Sequence, residues 1–299
     1  MILVTGGTGF VGSAIVRELL KRGETVAVMG RDAAKTQRVF AGAVEARVAD
    51  VRDAVSLQAA MSGATVVINA VQFPTSPIEV PERGWTFEEV DYKGTVNQVN
   101  AAKAAGVQRF VDVSAVGADV SAEKHWFRFK GLAEQHLQQS GVEYVILRPT
   151  WVFGPNDHAL NRLLGFTRFL PFLPLFGDGK QAMQPVFVDD VGAVAAAAVS
   201  NADAANQIVE IGGPEVMSMN DVLKTGLDVL GRKRFILHQP VFVGRLIGSV
   251  AQRLPITPPL TPDAVDFICL PAVANNANLQ RLFAPKLTTL REGLQTYLS

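Results

Sequence analysis

The sequence predicts an α/β fold in which a doubly wound parallel sheet is followed by a smaller, interleaved C-terminal lobe. Apolar strand patterns alternate with helical patterns over residues 1–150, and helices of that length join parallel strands. Beyond Pro149 the alternation gives way to shorter, proline-rich segments. The 299 residues, 48% of them hydrophobic, suffice for a sizeable core. We place the main unit at residues 1–150 and the smaller mixed lobe at 151–299, with residues 185–200 returning to the main unit.

Each predicted element depends on hydrophobic spacing and on the turn residues at its ends. Residues 10–21 carry apolar side chains at helical spacing, and Gly106 suits the C-cap of a long helix over residues 86–105. The predicted strands of the first half are residues 2–4, 25–29, 44–48, 65–69, 110–114 and 144–147, with helices at residues 10–21, 86–105 and 122–139. The second half is predicted to have strands at residues 185–188 and 208–211, helices at residues 191–199 and 220–230, and a mostly helical tail from Pro240.

Composition and charge exclude several classes of protein. The 28 basic and 28 acidic residues balance and form no long basic run, so nucleic acid is excluded as a partner. The single Cys269 cannot form an internal disulfide, and the 4 histidines lack the spacing of metal ligands, so no metal site is predicted. No stretch reaches the roughly 18 uncharged apolar residues of a membrane span. We expect a soluble, cytoplasmic protein, with peripheral membrane association left open.

The strongest motif lies between the first predicted strand and the first helix. Gly6 would let the chain turn sharply out of the strand, and Gly9 would let the backbone approach a diphosphate. Gly12 would let the helix pack closely on the sheet. The helix N-terminus offers N–H groups and a partial positive charge to phosphates. This pattern predicts that residues 1–150 are a Rossmann-type unit that binds a nicotinamide dinucleotide. The loop residues are Thr5, Gly6, Gly7, Thr8, Gly9, Phe10, Val11 and Gly12.

The end of the second predicted strand bears on the choice between NADP and NAD. An acidic side chain here would bind the ribose hydroxyls of NAD, whereas a guanidinium suits the 2′-phosphate of NADP. Gly30 stands near that point and Arg31 follows it, so the sequence favours NADP(H) over NAD(H). Asp32 would count against NADP if its side chain turned inward.

Residues at the ends of the third and fourth strands complete the predicted cofactor site. Ligands of open α/β sheets lie at the carboxyl ends of the strands. Asp50 is placed to accept a hydrogen bond from the adenine amino group, and Val51 to pack on the adenine ring. Asn69, Ala70 and Val71 follow the fourth strand, near the expected nicotinamide ribose. Ordinary turn formation accounts for Asp and Asn at such positions equally well.

These motifs, with several later ones, resemble the atypical extended short-chain dehydrogenase/reductases, which are similar to NAD-dependent epimerase/dehydratase proteins. The resemblance covers nearly the whole chain and implies that Pro149 and Thr150 also bind the cofactor. Residues 259–263 are similar to a branch related to the dehydrogenase-like accessory subunit of respiratory complex I, whose members are regarded as NADPH-binding proteins, several without demonstrated turnover. Besides the loop, the matching segments are residues 50–53, 109–114, 147–150, 154–155 and 185–191.

The resemblance implies an active centre of a serine, a tyrosine and a lysine four residues after the tyrosine. The lysine lowers the pKa of the tyrosine and holds the nicotinamide ribose, while the tyrosine exchanges a proton with the substrate. Ser114 and Lys130 match the serine and the lysine, but Trp126 stands at the tyrosine position. An indole has no proton to give near neutral pH. His125 is a further acid/base candidate, although adjacent helical residues point in directions about 100° apart.

Three interpretations fit the loss of the tyrosine, in decreasing order of preference. In the first, the fold binds the cofactor without turnover, Trp126 packs over the nicotinamide site, and the chain is a binding, assembly or sensor protein with a protein partner. In the second, a desolvated Lys130 with a lowered pKa is the base of an NADPH-dependent reductase or isomerase. In the third, the helix of residues 122–139 docks differently and His125 reaches the site.

Two apolar stretches of the smaller lobe bear on its ligand. Residues 163–176 carry four phenylalanines and two prolines, which suits a lid or wall over a large apolar substrate such as a quinone or prenyl group. Packing within the lobe explains the same stretch. Residues 242–254 have apolar side chains at helical spacing, together with Arg245 and Arg253. We expect a buried amphipathic helix there, with a membrane-surface helix as the alternative.

Overall fold

The first half of the chain alternates strands and helices, as the sequence predicts. The computed structural model describes residues 1–252 and 260–298. The first elements are β1 (Ile2–Thr5), α1 (Phe10–Lys21), β2 (Val26–Gly30), α2 (Ala33–Phe40), β3 (Glu45–Val48), α3 (Ala54–Met61) and β4 (Val66–Asn69). They are followed by a short 3-10 helix (Pro81–Arg83), a π-helical segment (Phe87–Lys93) that continues into α4 (Gly94–Ala104), then β5 (Arg109–Val113), α5 (His125–Gln139) and β6 (Glu143–Pro149).

The second half has shorter strands and a more irregular order of elements. Arg253, Leu254 and Pro259, which belong to segments singled out in the sequence, lie outside the described residues. The elements are β7 (Val152–Phe153), α6 (Leu160–Phe166), β8 (Phe172–Phe176), β9 (Ala182–Met183), β10 (Val186–Phe187), α7 (Val188–Ala198), a 3-10 helix (Ala202–Ala204), β11 (Gln207–Ile211), β12 (Met217–Ser218), α8 (Met219–Val229), β13 (Phe235–Gln239), α9 (Val241–Ala251), α10 (Pro262–Cys269), α11 (Ala277–Leu282) and α12 (Leu290–Leu298).

Seven strands form one sheet in the order β11-β6-β5-β4-β1-β2-β3. Its neighbouring strands are parallel throughout, and Thr5 of β1 lies opposite Asn69 of β4. The predicted α/β class with a doubly wound parallel sheet is therefore confirmed. The strand order reverses between β1 and β4, and a sheet of this kind opens a ligand crevice outside the carboxyl ends of its strands at that point.

Apolar layers cover both faces of the sheet. One layer joins Ile15 and Leu19 of α1 to Val191 of α7, and the other contains Leu57 of α3 and Leu137 of α5. The helix α7 and the seventh strand β11 both come from beyond Pro149, so the C-terminal half completes the sheet unit. A third cluster of buried apolar residues lies mostly in the second half of the chain. The assignment of residues 1–150 to the cofactor and 151–299 to a substrate stays a prediction.

Several elements differ from the sequence prediction. The helices α2 and α3 were not predicted, and their clearest signal is the N-cap, because Asp32 and Asp53 each accept a 3.0 Å hydrogen bond from a first-turn N–H. The single helix predicted over residues 86–105 begins as a π-helix, in which Thr86 caps the N–H of Glu89. Part of the apolar stretch of residues 163–176 forms β8, which pairs with β13.

The prediction that residues 242–254 form a buried helix is wrong for the large side chains of α9. Phe242, Leu246, Ile247 and Val250 are between 52% and 69% exposed. The buried side of α9 is instead made by small residues, since Gly244 packs against Phe176 and Gly248 against the backbone of residues 261–262. Within residues 1–252 and 260–298, no helix has the length and the hydropathy of a transmembrane span.

Candidate functional site

The glycine loop leaves β1 through a turn that only glycine can occupy. Gly6 has a φ of +69°, and a Cβ there would lie 2.6 Å from the carbonyl oxygen of Ala70. The N–H of Gly6 bonds to the carbonyl of Met29, and the N–H of Gly9 bonds to the carbonyl of Gly6. The loop is therefore held between the ends of β2 and β4.

The start of α1 is open to a ligand. A Cβ at Gly12 would lie 2.3 Å from the carbonyl oxygen of Gly6, so the helix packs against its own loop. Gly9 is the N-cap and is exposed, and a Cβ built on it would lie 3.1 Å from the carbonyl oxygen of Gly6. Among residues 1–252 and 260–298 no side chain caps the helix, and its first turn carries no acidic residue. An anion can therefore reach the positive end of the helix dipole.

The other loop residues differ in exposure. Thr5 is fully buried, and Gly7 is buried with a Cβ position 2.9 Å from Val28. Thr8, Phe10 and Val11 are half-buried at the rim.

The end of β2 presents an exposed basic turn. Asp32 does not turn inward, because its carboxylate caps α2 through the N–H of Lys35 and pairs with Arg38 at 3.6 Å. Arg31, Lys35 and Arg38 are all exposed here. The sequence pointed to Arg31 alone. The two further cations follow one and two helical turns later and were missed together with α2.

Asp50 is engaged by a neighbouring cation. Arg52 donates to both carboxylate oxygens, at 3.0 Å and 2.6 Å. This hydrogen-bonded guanidinium holds the pKa of Asp50 below its usual value. Val51 is 7% exposed, and its side chain packs against Gly94. The expected contacts of Asp50 and Val51 with adenine stay predictions.

Asn69 lies beneath the loop as a buried hydrogen-bonding centre. Its Nδ2 donates to Asp112 Oδ1 at 2.8 Å and to Thr95 Oγ1 at 3.1 Å. Its Oδ1 accepts from Thr5 Oγ1, Gln98 Nε2 and the N–H of Val71. Because these bonds hold the amide inside the protein, any contact of residues 69–71 with a ribose would come from their backbone or from Ala70 and Val71.

Lys130 is paired with an acid that the sequence did not identify. Its Nζ donates to Asp91 Oδ1 at 2.8 Å, and the Asp91 side chain is 1% exposed. Desolvation alone would lower the pKa of Lys130, but Asp91, Asp112 and Glu134 outweigh it and raise that pKa. The expectation of a lysine with a lowered pKa is therefore wrong, since the lysine lies among carboxylates. Asp91 lies four residues after the buried Phe87 in the predicted helix. An acidic residue on the apolar face of that helix was the signal by which the sequence could have identified it.

Ser114 and Lys130 line one small polar cavity at the carboxyl ends of β4 and β5. Its volume is about 10 Å³. Burial raises the pKa of Asp112, another lining residue, to about 6. Within the described part of the chain, Ser114 Oγ and Asp91 Oδ2 are buried without a hydrogen-bond partner. The lining residues are Asn69, Val71, Asp91, Thr95, Asp112, Val113, Ser114, Lys130 and Ala133.

Trp126 packs away from this cavity. It is 2% exposed, with Phe267 of α10 at 5.9 Å between ring centroids and the Lys124 ammonium 5.4 Å from its ring. Lys124 and Arg245 both pair with Asp266, the neighbour of Phe267. The residue at the tyrosine position is therefore sandwiched against the C-terminal lobe and is not among the residues that line the cavity. The expectation that Trp126 packs over the nicotinamide site is wrong, because the contacts with Phe267 and Lys124 hold its ring elsewhere.

The other expected contributors lie apart from the cavity as well. His125 Nε2 lies 3.2 Å from Glu79 Oε2, and the other oxygen of Glu79 accepts from the N–H of Phe87. The interpretation in which His125 reaches Lys130 and Ser114 is therefore not supported. Pro149 ends β6, and the Thr150 hydroxyl donates to the carbonyl of Gln184 at 2.5 Å.

Comparison of the chain with known proteins agrees with a dinucleotide site at the glycine loop, the crevice and the polar cavity. Residues 6–168, more than half of the chain, match the NAD(P)H-binding family. The chain belongs to this family. Residues 128–212 also match the NAD-dependent epimerase/dehydratase family. The resemblance to atypical, epimerase/dehydratase-like short-chain dehydrogenase/reductases is thereby confirmed, and NAD(P)H is the class of ligand.

Individual relatives have diverse names. The mitochondrial NADH dehydrogenase (ubiquinone) 1 alpha subcomplex subunit 9 of Arabidopsis thaliana is 32% identical over 234 residues, 76% of this chain but only 57% of that protein. The NAD(P)H azoreductase of Xenophilus azovorans is 30% identical over 227 residues, 74% of this chain and 71% of that protein. The NADPH complex of a quinone oxidoreductase from Escherichia coli aligns over 100% of both chains, with a TM-score of 0.75 and 21% identity, which shows the shared fold.

Proposed function

We propose that this protein binds NADP(H) and acts as a cofactor-bound binding, assembly or sensor protein, without the usual serine–tyrosine–lysine proton transfer. The observation that carries the proposal is the Asp91–Lys130 ion pair in a cavity that Trp126 does not line. Among the described residues, no tyrosine lines that cavity. The tyrosine that would exchange a proton with a substrate is missing, and the Lys130 ammonium that would assist it is engaged by the Asp91 carboxylate.

The residues present fit a dinucleotide. The exposed Gly9 and the uncapped start of α1 would bind the diphosphate. Arg31, assisted by Lys35 and Arg38, would hold a 2′-phosphate, since Asp32 is committed to capping α2. The unpartnered Ser114 hydroxyl faces the cavity where the nicotinamide half would lie. The bound cofactor would supply a hydride, whereas the residues of this chain would bind and orient it.

An assembly role is supported by two observations. The relative from Arabidopsis thaliana is named as a subunit of NADH dehydrogenase. The α9 face formed by Phe242, Leu246, Ile247 and Val250 is exposed and apolar, which suits contact with a protein partner or with a membrane surface. Cytoplasmic localisation stays part of this proposal.

A second candidate is an NADPH-dependent reductase or isomerase of an apolar, quinone- or prenyl-like substrate, with Lys130 as the base. The relative named NAD(P)H azoreductase favours it, and so do Phe166 and Phe169, which are 37% and 87% exposed beside β8. Lys130 could act as a base only if a substrate displaced it from Asp91 and its pKa then fell. The raised pKa of the paired ammonium places this function second.

Turnover of the wild type and of Lys130→Ala separates the two candidates, and the Arg31→Glu variant tests the preference for NADPH that both share. In the wild type we expect NADPH to bind more tightly than NADH, without oxidation of NADPH on a panel of quinones and azo dyes. Arg31→Glu should weaken NADPH binding about tenfold or more while sparing NADH, because it replaces a phosphate ligand by a like charge.

Lys233→Glu, an exposed charge reversal in the other lobe, is the matched control. A wild type that binds neither cofactor would refute the proposed function, and steady oxidation that Lys130→Ala abolishes would favour the second candidate.

A further inference from the structure

The cavity beside Lys130 contains two polar groups that lack partners within the described residues. Asp91 Oδ1 accepts from Lys130, but Asp91 Oδ2 is buried and unpartnered, and so is Ser114 Oγ. Leaving a buried carboxylate oxygen unsatisfied is costly, so native proteins rarely keep one without a ligand or an ordered water. The Asp91 side chain is 1% exposed, and the cavity is about the size of one water or hydroxyl group at about 10 Å³.

The position of the cavity indicates which part of a dinucleotide would reach it. The glycine loop at the end of β1 would hold the diphosphate, with Arg31 and Asp50 beyond β2 and β3 on the adenosine side. The cavity lies at the ends of β4 and β5, on the opposite side of the crevice. A dinucleotide that lies across the crevice would therefore place its nicotinamide ribose nearest Asp91 and Ser114.

The chemistry of the cavity selects an uncharged hydrogen-bond donor. A carboxylate oxygen only accepts hydrogen bonds, and Asp112 adds a second buried acid to the lining. These acids disfavour a phosphate or a carboxylate ligand. A sugar hydroxyl donates one hydrogen bond and accepts others, so it matches Asp91 Oδ2 and Ser114 Oγ together.

We propose that Asp91 is a ribose-binding residue of this chain: Oδ1 holds Lys130, and Oδ2 accepts a hydrogen bond from a hydroxyl of the nicotinamide ribose. This inference rests on the proposed function, because it requires that NADP(H) binds. Asp91 is then a binding residue that fixes both the lysine and the sugar, in a chain whose Trp126 is directed elsewhere.

The test compares two ligands by calorimetric titration. NADPH contains the nicotinamide ribose, whereas adenosine 2′,5′-bisphosphate lacks it. Asp91→Asn should weaken NADPH binding about tenfold or more and leave the affinity for the bisphosphate within about twofold of wild type, since only one half of the site is changed. Glu88→Gln, an exposed carboxylate of the same π-helix that pairs with Lys93, is the control and should change neither affinity.

The outcomes distinguish the possible failures. An unchanged NADPH affinity in Asp91→Asn would overturn the proposal and leave water as the only occupant of the cavity. Equal weakening of both ligands would also overturn it, because the carboxylate would then act through the fold. If Asp91→Asn alone does not fold, Asp91→Asn/Lys130→Met is compared with Lys130→Met under the same criteria. A wild type that binds the bisphosphate but not NADPH would refute the inference, and one that binds neither would refute the proposed function.

Discussion

Replacing Asp112 by asparagine should stabilise the unliganded protein at neutral pH and remove a defined part of its pH dependence. Asp112 is 4% exposed, and its Oδ1 accepts a 2.8 Å hydrogen bond from Asn69. Burial raises its pKa from 3.8 to about 6. An asparagine retains an acceptor oxygen for Asn69 at nearly the same volume, so the charge is the main change.

The size and the sign of the effect follow from linkage. Between the two pKa values the folded protein binds one more proton than the unfolded chain, so the free energy of unfolding falls as the pH rises. A difference of about two pKa units corresponds to about 3 kcal/mol. Ionised Asp112 therefore lowers the stability by up to about 3 kcal/mol above about pH 7, and this cost disappears below about pH 4.

Urea denaturation of the wild type and of Asp112→Asn between about pH 4 and pH 8 measures this cost. The stability advantage of the variant should rise from near zero in acid to about 2–3 kcal/mol at neutral pH. Asp203→Asn, which removes an exposed carboxylate, calibrates the effect of deleting one charge. A difference between Asp112→Asn and wild type that stays constant over the whole pH range would refute the reasoning.

Two further predictions concern the loop and the tyrosine position. Gly12→Ala should abolish NADPH binding and lower the free energy of unfolding by about 1–3 kcal/mol, because the added Cβ would lie 2.3 Å from a backbone oxygen. Calorimetry and urea denaturation check this against Gly165→Ala, where the described residues leave open space around an added Cβ. Trp126→Tyr should not create NADPH oxidation, because residue 126 faces Phe267 and not the cavity. A fall in NADPH absorbance catalysed by this variant would contradict that orientation.

The parts of the fold that depend on local patterns could be predicted from the sequence. The loop from Thr5 to Gly12 needs only the spacing of its glycines and the adjoining strand and helix. Ser114 and Lys130 were placed at a strand end and on the following helix, and both line the same cavity. The alternation of strands and helices was enough to predict the parallel sheet, because strands joined by helical crossovers can be arranged in few other ways.

The electrostatics of the site could not be predicted from the sequence in the same way. The sign of the Lys130 pKa shift depends on Asp91, which is 39 residues earlier and reaches the lysine only when the π-helical segment packs on α5. Desolvation alone suggests a lowered pKa, whereas the surrounding acids raise it. A pattern of residue types does not specify which of these opposing effects is larger.

The orientations of Trp126 and His125 depend on still more distant contacts. Phe267 and Asp266, which hold the start of α5 through Trp126 and Lys124, lie about 140 residues later in the chain. His125 is turned toward Glu79, which lies in the loop between β4 and the first 3-10 helix. The exposure of the large apolar residues of α9 also depends on contacts distant in sequence. The glycines of α9 pack against β8 and the start of α10, which leaves the larger residues on the solvent side.

The order of the strands has a consequence for synthesis and for truncation. The strand β6 ends at Pro149, but its outer neighbour β11 is not made until residues 207–211. A nascent chain, or a fragment cut after residue 150, would therefore present the N–H and C=O groups of β6 as an open edge on which another chain could add a strand. Fragments that end before Ile211 should be prone to self-association. The shortest fragment with a complete sheet therefore extends well beyond residue 150, the boundary that the alternation of predicted strands and helices indicates.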